Sequence, residues 1–237
     1  MNRDKTGSEY PTAKTAALVS CRNLTKTYVR GQETISALKN VTLDIAGGDF
    51  VAVVGPSGSG KSTFVHVAGC LEKPTQGQVF IDGRDTSGLS PDQLAHVRNR
   101  TIGFVFQQFH LLSRCSAQEN VELPLVYSGM AAPARAERAR FWLEQMGLGK
   151  RHNHRPAELS GGEQQRVAIA RAMANQPKIV FADEPTGALD YQTGMKILEL
   201  FQKLNGAGTA IVLVTHERHV SQFAKRSAEF RDGALLG

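Results

Sequence analysis

The 237-residue chain has 41% hydrophobic and 21% charged residues, a composition typical of one large α/β domain or one domain with a small insert. No apolar run approaches the roughly 20 residues that cross a bilayer, so we expect no membrane-spanning helix. The formal net charge of +6 comes from basic residues spread along the chain. We interpret it as a solvated surface, and we expect no nucleic-acid partner.

The N-terminal residues 1–17 are polar and of mixed charge, without the apolar core of a secretion signal. We expect a flexible tail there and a folded domain over 18–237. The cysteines Cys21, Cys70 and Cys115 are widely spaced and odd in number, which argues against a disulfide framework and for a reducing compartment. None has a Cys or His neighbour at metal-ligand spacing, so we interpret all three as packing residues.

A glycine-rich stretch follows the apolar run Phe50–Val54, which has the pattern of a buried parallel strand. It fits the phosphate-loop pattern G-x-x-x-x-G-K-[ST], whose glycines let backbone N–H groups surround phosphates. In such a loop Lys61 reaches the β- and γ-phosphates and the Ser62 hydroxyl binds Mg²⁺. A helix is expected from Lys61 to about Leu71. The predicted triphosphate site comprises Gly55, Pro56, Ser57, Gly58, Ser59, Gly60, Lys61, Ser62 and Thr63.

Capping residues predict helices in the middle of the chain. Ser90, followed by Pro91, begins a helix before a strand that ends near Gln107. A helix is also expected over Gly129–Met146, ended by Gly147. Its expected apolar side comprises Phe141, Trp142, Leu143 and Met146. We therefore expect a largely helical insert at about 108–160.

A second candidate anion site opens the next helix. Ser160 and Glu163 form an S-x-x-E capping box, and the helix N-terminus presents free N–H groups. Two glycines follow the serine although glycine in a first turn costs helix stability, which indicates that something approaches the backbone closely. A well-capped helix without a ligand is the alternative. The stretch comprises Leu159, Ser160, Gly161, Gly162, Glu163 and Gln164.

Two carboxylates end the apolar strand that begins at Ile179. An acid at the carboxyl end of such a strand holds the Mg²⁺ of a bound nucleotide, and we expect Asp183 to do so. Glu184 is placed to accept a proton from the attacking water. Alone, the pair could equally be solvated carboxylates in a turn, but the phosphate loop favours the chemical role. Further on, Asp190 caps a helix that ends at Gly206.

In this order, the motifs resemble the nucleotide-binding subunit of ABC transporters over roughly residues 18–235. Leu159–Gln164 is similar to that family's signature motif. The resemblance implies an α/β P-loop NTPase core of the ABC ATPase type, with an antiparallel β subdomain at about 18–50 and the helical subdomain inserted. It also implies one nucleotide-binding domain per chain, with ATP and Mg²⁺ as ligands.

The resemblance also implies roles for residues whose local pattern is weak. Tyr28 matches the aromatic that stacks on adenine, Gln107 the glutamine that senses Mg²⁺ and water, and His216 the histidine that contacts the γ-phosphate. Taken singly, they could be a strand-end aromatic, a loop residue and a turn histidine. The loop that crosses the dimer interface is matched by Ala188, Leu189 and Asp190. The implied catalytic residues are Glu184, His216 and Gln107, and the implied Mg²⁺ site is Ser62, Gln107 and Asp183.

The family resemblance implies a head-to-tail homodimer, in which the signature serine of one subunit binds the γ-phosphate held by the other. This dimer closes on two ATP molecules, and both of its sites hydrolyse ATP. Any transport then depends on a separate transmembrane permease, received by the loop after Gln107 and the helical insert. The chain is expected to lie peripherally on the cytoplasmic face of the inner membrane.

Local segments resemble the bacterial lipoprotein-releasing and macrolide-export ATPases, namely Gly103–Gln108, Phe109–Leu112 and Glu119–Leu125. This implies a permease with a large extracytoplasmic domain, a periplasmic adaptor, and export or extraction of a lipophilic substrate such as a lipoprotein, a macrolide-like compound or a lipid. The chain departs from these relatives at Ser113–Ser116, in the coupling region, and at Glu217, where aspartate is usual.

Other ABC-type ATPases offer alternative functions. A cell-division type would transmit force through a membrane protein and transport nothing, with identical nucleotide sites. DNA-repair ATPases split their halves with long coiled coils, and this sequence has no heptad run. Translation-factor ATPases carry two such domains in one chain, whereas this chain has one.

Overall fold

The fold alternates strands and helices around two sheets. The computed structural model describes residues 17–31 and 33–236. Its strands are β1 (Ala17–Arg30), β2 (Glu33–Ala46), β3 (Phe50–Val54), β4 (Gln76–Ile81), β5 (Arg84–Asp85), β6 (Ile102–Phe106), β7 (Ile179–Asp183), β8 (Ala210–Thr215), β9 (Arg226–Arg231) and β10 (Ala234–Leu236). Its α-helices are α1 (Lys61–Ala68), α2 (Pro91–Thr101), α3 (Ala117–Tyr127), α4 (Ala132–Gln145), α5 (Gly161–Met173), α6 (Tyr191–Gly206) and α7 (Arg218–Ser221). The expected tail lies outside the described residues, apart from Ala17, which begins β1.

The central sheet has six strands in the order β10-β9-β3-β8-β7-β6. The neighbours from β9 to β6 pair in parallel, and β10 pairs antiparallel with β9. Strands β3, β7 and β8 are apolar runs buried on both faces, as parallel strands covered by helices must be. Val54 lies opposite Thr215, and Asp183 lies opposite both Val214 and Phe106. The segments that follow these four strands therefore start at one edge of the sheet.

The second sheet is antiparallel, in the order β2-β1-β4-β5. It encloses α1 against one face of the central sheet, with Leu24, Phe64 and Val53 in a shared core. The predicted antiparallel region at 18–50 is incomplete, because β4 and β5 join it from further along the chain. Both are short and mostly exposed, so their sequences carry little strand signal.

The opposite face of the central sheet carries helices α3 to α6, whereas Leu94 of α2 packs in the first core. Apolar side chains of α3, α4, α5 and α6 form a second core with β6, β7 and β8. Helices α3 and α4 belong to the inserted segment, together with the 3₁₀ turns Gly149–Arg151 and Pro156–Glu158. The predicted fold class, an α/β core with an antiparallel β subdomain and a helical insert, is confirmed. Among the described residues, no helix combines the length and apolarity that a bilayer crossing requires.

Two predicted helix details are wrong. Helix α1 ends at Ala68 instead of near Leu71, since Gly69 packs against the Phe104 ring and Cys70 takes a left-handed φ of 59°. Phe141 is exposed on α4, whereas its neighbours Trp142, Leu143 and Met146 are buried as expected. At 100° per residue, the three adjacent apolar positions 141, 142 and 143 do not all fit one face.

The predicted caps are observed. Ser90 forms a capping box with Gln93, and the Asp190 carboxylate accepts a hydrogen bond of 3.0 Å from the Thr193 amide. Helix α6 runs through Gly206, and the left-handed turn comes at Gly208, with φ 103°. All three cysteines are free thiols, with Cys21 and Cys70 buried.

Asn120 organises the irregular segment between β6 and α3. Its fully buried side chain accepts from the Leu112 amide at 2.7 Å and donates to the carbonyls of Leu112, Cys115 and Ser116. Asn120→Ala leaves these backbone groups buried without a partner, so we expect it to lower the free energy of unfolding by about 2–4 kcal/mol. Chemical denaturation measures this change. The exposed-residue control Asn153→Ala should stay within about 0.5 kcal/mol of the parent, and equal effects of the two would contradict this role.

Candidate functional site

The predicted site residues gather where the parallel strands end. The phosphate loop follows β3, Gln107 follows β6, Glu184 follows β7 and His216 follows β8. Because these strands are parallel and in register, their carboxyl ends lie side by side. In open α/β sheets ligands bind at this edge. The arrangement brings the predicted catalytic and phosphate-binding residues together.

Glycines shape the phosphate loop through both conformation and space. Gly55 and Gly60 have φ values of 152° and 101°, which favour glycine. A Cβ at Gly55 would clash with the Phe230 carbonyl, and one at Gly60 would clash with the Ala37 carbonyl. The phosphate loop is therefore packed tightly between β9 and the antiparallel sheet, and this packing fixes its shape before any ligand binds.

Lys61 lies across this loop. Its buried side chain donates from Nζ to the carbonyls of Gly55 and Pro56, at 2.9 and 2.8 Å. The ammonium thus sits beside the loop backbone, at the N-terminus of α1, where the helix dipole adds a further positive potential. Ser57 and Gly58 form the exposed rim of the loop. This corner can receive a polyphosphate anion.

Asp183 has an incompletely paired carboxylate. Its Oδ1 is buried and has no hydrogen-bond partner among the described residues. Burial raises the pKa of Asp183, the neighbouring Glu184 carboxylate raises it further, and a hydrogen bond with the Ser62 hydroxyl opposes both. A cation there would compensate the buried charge. An orphaned carboxylate oxygen beside a hydroxyl suits Mg²⁺, which prefers oxygen ligands and keeps few protein ones.

Glu184 and His216 contact each other. Glu184 Oε1 lies 3.1 Å from His216 Nδ1, and the Glu184 amide donates to the Val214 carbonyl at 3.1 Å. Glu184 has a left-handed φ of 46°, rare for a residue with a side chain. This strained turn directs Glu184 away from the strand direction of Asp183. The two adjacent carboxylates therefore have different surroundings.

Gln107 lies against the loop that follows Glu184. A Cβ on Gly187 would lie 2.7 Å from Gln107 Nε2, so the amide packs directly on the Gly187 backbone. The segment 186–190 turns tightly, with the Leu189 amide donating to the Thr186 carbonyl at 3.0 Å. Ala188 and Asp190 are exposed on it. The two predicted loops thus touch within one chain.

The signature helix α5 begins as predicted. The Glu163 amide donates to Ser160 Oγ at 3.3 Å, and the Ser160 amide donates to the Glu163 carboxylate at 2.9 Å. The backbone N–H of Ser160 and its hydroxyl lower the pKa of Glu163, although burial opposes them. Gln164 Nε2 donates to the backbone carbonyl of the buried Leu159 at 3.1 Å. The serine is exposed at this helix end.

The two signature glycines have different surroundings. A Cβ on Gly162 would clash with Thr193 at the start of α6 in the same chain, so the close approach inferred there is an internal helix contact. A Cβ on Gly161 would meet only ordinary contacts, with Leu189 at 3.4 Å and Phe109 at 3.8 Å. Thr193 thus accounts for the close approach that was predicted at Gly162.

Sequence reasoning missed two polar residues of α5, the buried Gln165 and the half-buried Arg171. Gln165 donates to the Pro185 carbonyl at 2.5 Å and to the Phe106 carbonyl at 3.4 Å. Arg171 donates to the carbonyls of Phe109 and His110, at 2.8 and 2.6 Å. Their signal is a polar residue on the helix stripe that is otherwise buried and apolar. Together they tie the signature helix to the loops carrying Gln107 and Glu184.

Tyr28 lies apart from the sheet edge, on β1 of the antiparallel sheet. Its ring is partly exposed, and its hydroxyl donates to Glu72 Oε2 at 2.8 Å. Burial raises the pKa of Tyr28, as does this carboxylate, while the Thr63 hydroxyl acts in the opposite direction. Thr63 belongs to the first turn of α1, so the ring flanks the phosphate loop. An aromatic face is available there for a flat, apolar group.

Comparisons with known proteins agree with this arrangement. The family model described as "ABC transporter" matches residues 38–187. The "Uncharacterized ABC transporter ATP-binding protein YknY" of Bacillus subtilis (strain 168) is 51% identical over 219 residues, which cover 92% of this chain and 95% of that protein. The "Macrolide export ATP-binding/permease protein MacB" of Bordetella avium (strain 197N) is 48% identical over 219 residues, 92% of this chain but only 33% of that protein. This chain thus spans about a third of MacB.

Solved structures extend the likeness to three dimensions. The "ATP-binding cassette MJ0796 bound to ADP and Pi", described as a dimeric post-hydrolysis state, superposes with a TM-score of 0.86 at 50% identity. The match covers 92% of this chain and 97% of that one. A second structure, "Dimeric Structure of MJ0796, a Bacterial ABC Transporter Cassette", gives the same values. This chain therefore belongs to the ABC transporter family, as an ATP-hydrolysing cassette of that family.

Proposed function

We propose that this ATPase works as a homodimer that closes on two Mg²⁺·ATP and drives a separate membrane permease for export or extraction of a lipophilic substrate. The observation that carries the catalytic part is the shared strand edge, where Lys61, Asp183, Glu184 and His216 meet. The export part rests on the 48% identity to MacB, whose name joins macrolide export to a permease.

The residues at the carboxyl ends of the strands have different roles in the proposed reaction. The loop amides and Lys61 bind the phosphates, with Nζ exchanging the Gly55 and Pro56 carbonyls for phosphate oxygens. Glu184 accepts the proton of the attacking water, and His216 orients the Glu184 carboxylate through its 3.1 Å contact and meets the γ-phosphate. Gln107 senses Mg²⁺ and water in the nucleotide site and couples its occupancy to the loop that follows Gln107. Tyr28 stacks on the adenine.

Ser62, Asp183 and Gln107 would hold the Mg²⁺. Asp183 supplies the orphaned carboxylate oxygen, and the Ser62 hydroxyl lies beside it. When bound, the ion would neutralise phosphate charge. The described residues contain no cluster of three or more His, Cys, Asp or Glu side chains suited to a metal.

A second subunit completes each site in this proposal. The free N–H groups of α5 and the exposed Ser160 form an anion site that no group of the described chain satisfies fully. A twofold axis would bring this helix end to the γ-phosphate of the partner copy, with the loop 188–190 at the interface. The dimeric MJ0796 structures support this arrangement.

A groove beside the loop after Gln107 is the proposed permease site. It has a volume of about 620 Å³ and is lined by α2, β6 and α3. Phe104, Phe106 and Tyr127 are among its lining residues, and Tyr127 is 75% exposed. Arg171 lines it while holding the loop carbonyls, so a partner seated there touches the brace of the coupling loop.

Glu184→Gln tests the general base. The amide cannot take up the water proton, so we expect ATP hydrolysis to fall about 10²–10⁴-fold, with ATP binding kept and a closed dimer accumulating. Phosphate release and size-exclusion chromatography with ATP measure these outcomes. Glu199→Gln, an exposed change on α6, is the control. Near-normal turnover of Glu184→Gln would refute the assigned role.

Asp183→Asn tests the cation site. The pKa of Asp183 is raised in the folded state, so the folded chain binds this proton more tightly than the unfolded chain does. Its ionisation therefore destabilises the fold as pH rises above the unfolded value, and the penalty is complete above the folded pKa. At pH 7 the nucleotide-free Asn variant should be more stable than the parent, and Mg²⁺ should no longer strengthen ATP binding. Thermal melts and calorimetry measure both, and intact Mg²⁺ dependence would contradict the assignment.

Capture of the partner tests the coupled function. Tagged Glu184→Gln protein with Mg²⁺·ATP is used to pull down proteins from detergent-solubilised native membranes. We expect a permease with a large extracytoplasmic domain, and at least about tenfold less of it with Tyr127→Ser added. Phe141→Ser removes another exposed aromatic, on α4, and should leave capture unchanged. A partner that itself binds a wall hydrolase would favour force transmission without transport, and no membrane protein at all would count against both.

A further inference from the structure

The segment after α1 is fastened to the strand that carries Tyr28. Lys26 Nζ donates to the Lys73 carbonyl at 2.8 Å, and the Thr75 amide donates to the Thr25 carbonyl at 2.8 Å. The Thr27 amide also donates to Thr75 Oγ1 at 3.0 Å. These contacts, together with those of Glu72, run along β1 from residue 25 to residue 28. The position of Tyr28 thus depends on residues 72–75.

Glu72 is the charged member of this segment. Its Oε2 accepts from the Tyr28 hydroxyl at 2.8 Å and lies 3.0 Å from Lys26 Nζ, while Oε1 lies 3.5 Å from His66 Nδ1. Burial of the carboxylate opposes its ionisation, but hydrogen bonds from Lys26 and Tyr28 outweigh this and lower the pKa of Glu72. The side chain is 33% exposed, so it is partly shielded from water. An ionised carboxylate there makes the tyrosine contact a charge-assisted hydrogen bond.

The same segment is fastened to the phosphate-loop helix. The amides of Leu71 and Glu72 both donate to the carbonyl of His66, in the last turn of α1, at 2.8 and 3.1 Å. Helix α1 begins directly at the phosphate loop with Lys61. A short, hydrogen-bonded path therefore runs from the loop through α1 and Glu72 to the Tyr28 hydroxyl. It fixes the separation between the aromatic ring and the phosphate corner.

We propose that Glu72 is a positioning residue that holds the Tyr28 ring at the correct distance from the phosphate loop to stack on a nucleotide base. This inference rests on the proposed stacking role of Tyr28 and adds the residue that sets its geometry. Lys26 Nζ lies 5.1 Å from the ring centroid, where its charge interacts with one face. The other face is then left for the base.

The prediction concerns base-dependent affinity. Glu72→Ala and Tyr28→Phe each break the same hydrogen bond, so each should weaken Mg²⁺·ADP binding about 5–20-fold. The double variant should bind no more weakly than Glu72→Ala, within about twofold, because the hydrogen bond to the Tyr28 hydroxyl is lost only once. Binding of Mg²⁺·pyrophosphate, which has no base, should stay unchanged. Glu72→Gln keeps an acceptor without the charge and should fall between the parent and Glu72→Ala.

Isothermal titration calorimetry with ADP and pyrophosphate measures all of these affinities without hydrolysis. Asp82→Ala, which removes an exposed ion pair with Lys178, is the matched control and should bind both ligands normally. Equal weakening of ADP and pyrophosphate binding by Glu72→Ala would show a merely structural role, and additive losses in the double variant would show that Glu72 acts without the Tyr28 hydroxyl. Either result overturns the proposal.

Tyr28→Ala separates this inference from the function on which it rests. If Tyr28→Ala weakens ADP binding while Glu72→Ala does not, the stacking role stands and the positioning role of Glu72 is refuted. If Tyr28→Ala leaves ADP affinity unchanged, the ring is no base platform and both proposals fall. Weakening by both variants, selective for ADP over pyrophosphate, supports both.

Discussion

The common register of β3, β8, β7 and β6 is the constraint on which the rest of the site depends. Val54, Thr215, Asp183 and Phe106 end their strands at matched positions, so the groups after them start from one line. A slip of one residue would turn every side chain of a strand to the opposite face. In β7 such a slip would move Asp183 from the end of the strand and put a neighbouring residue in its place. Close packing of the differently sized buried side chains opposes such a slip, so the core secures the chemistry at its edge.

The loops beyond that edge lack ladder hydrogen bonds, and polar side chains replace them. Backbone groups that leave a sheet still need partners. Gln165 and Arg171 supply donors to carbonyls on both sides of Gln107 and just after Glu184, and Asn120 does the same for the segment that follows. Since two of these braces belong to α5, a displacement of the signature helix is transmitted to those loops through direct hydrogen bonds. These hydrogen bonds therefore couple the position of the signature helix to that of the loops that carry Gln107 and Glu184.

Local chemistry decided what the sequence could predict. The phosphate loop, the Ser90, Ser160 and Asp190 caps and the apolar strands follow from short-range rules, and the structure contains them. The joining of β4 and β5 to the antiparallel sheet could not be foreseen, because it depends on contacts between distant segments. Gln165 illustrates the same limit: its polarity within an apolar stripe was visible, but its partners Phe106 and Pro185 are set only by tertiary packing.

Charged groups at the site are incompletely paired in the ligand-free chain, and a ligand of opposite charge can pair them. The buried Asp183 Oδ1 has no hydrogen-bond partner among the described residues, Lys61 Nζ donates to two loop carbonyls, and Glu184 takes a strained backbone conformation. The unpaired buried oxygen and the strained backbone each cost stability in the free chain. A ligand that brings phosphates and a cation together would satisfy the ammonium and the carboxylate at once, so it binds the folded chain in proportion to the cost removed. The free energy stored at the strand edge thus favours ligands that carry both charges over phosphate or metal alone.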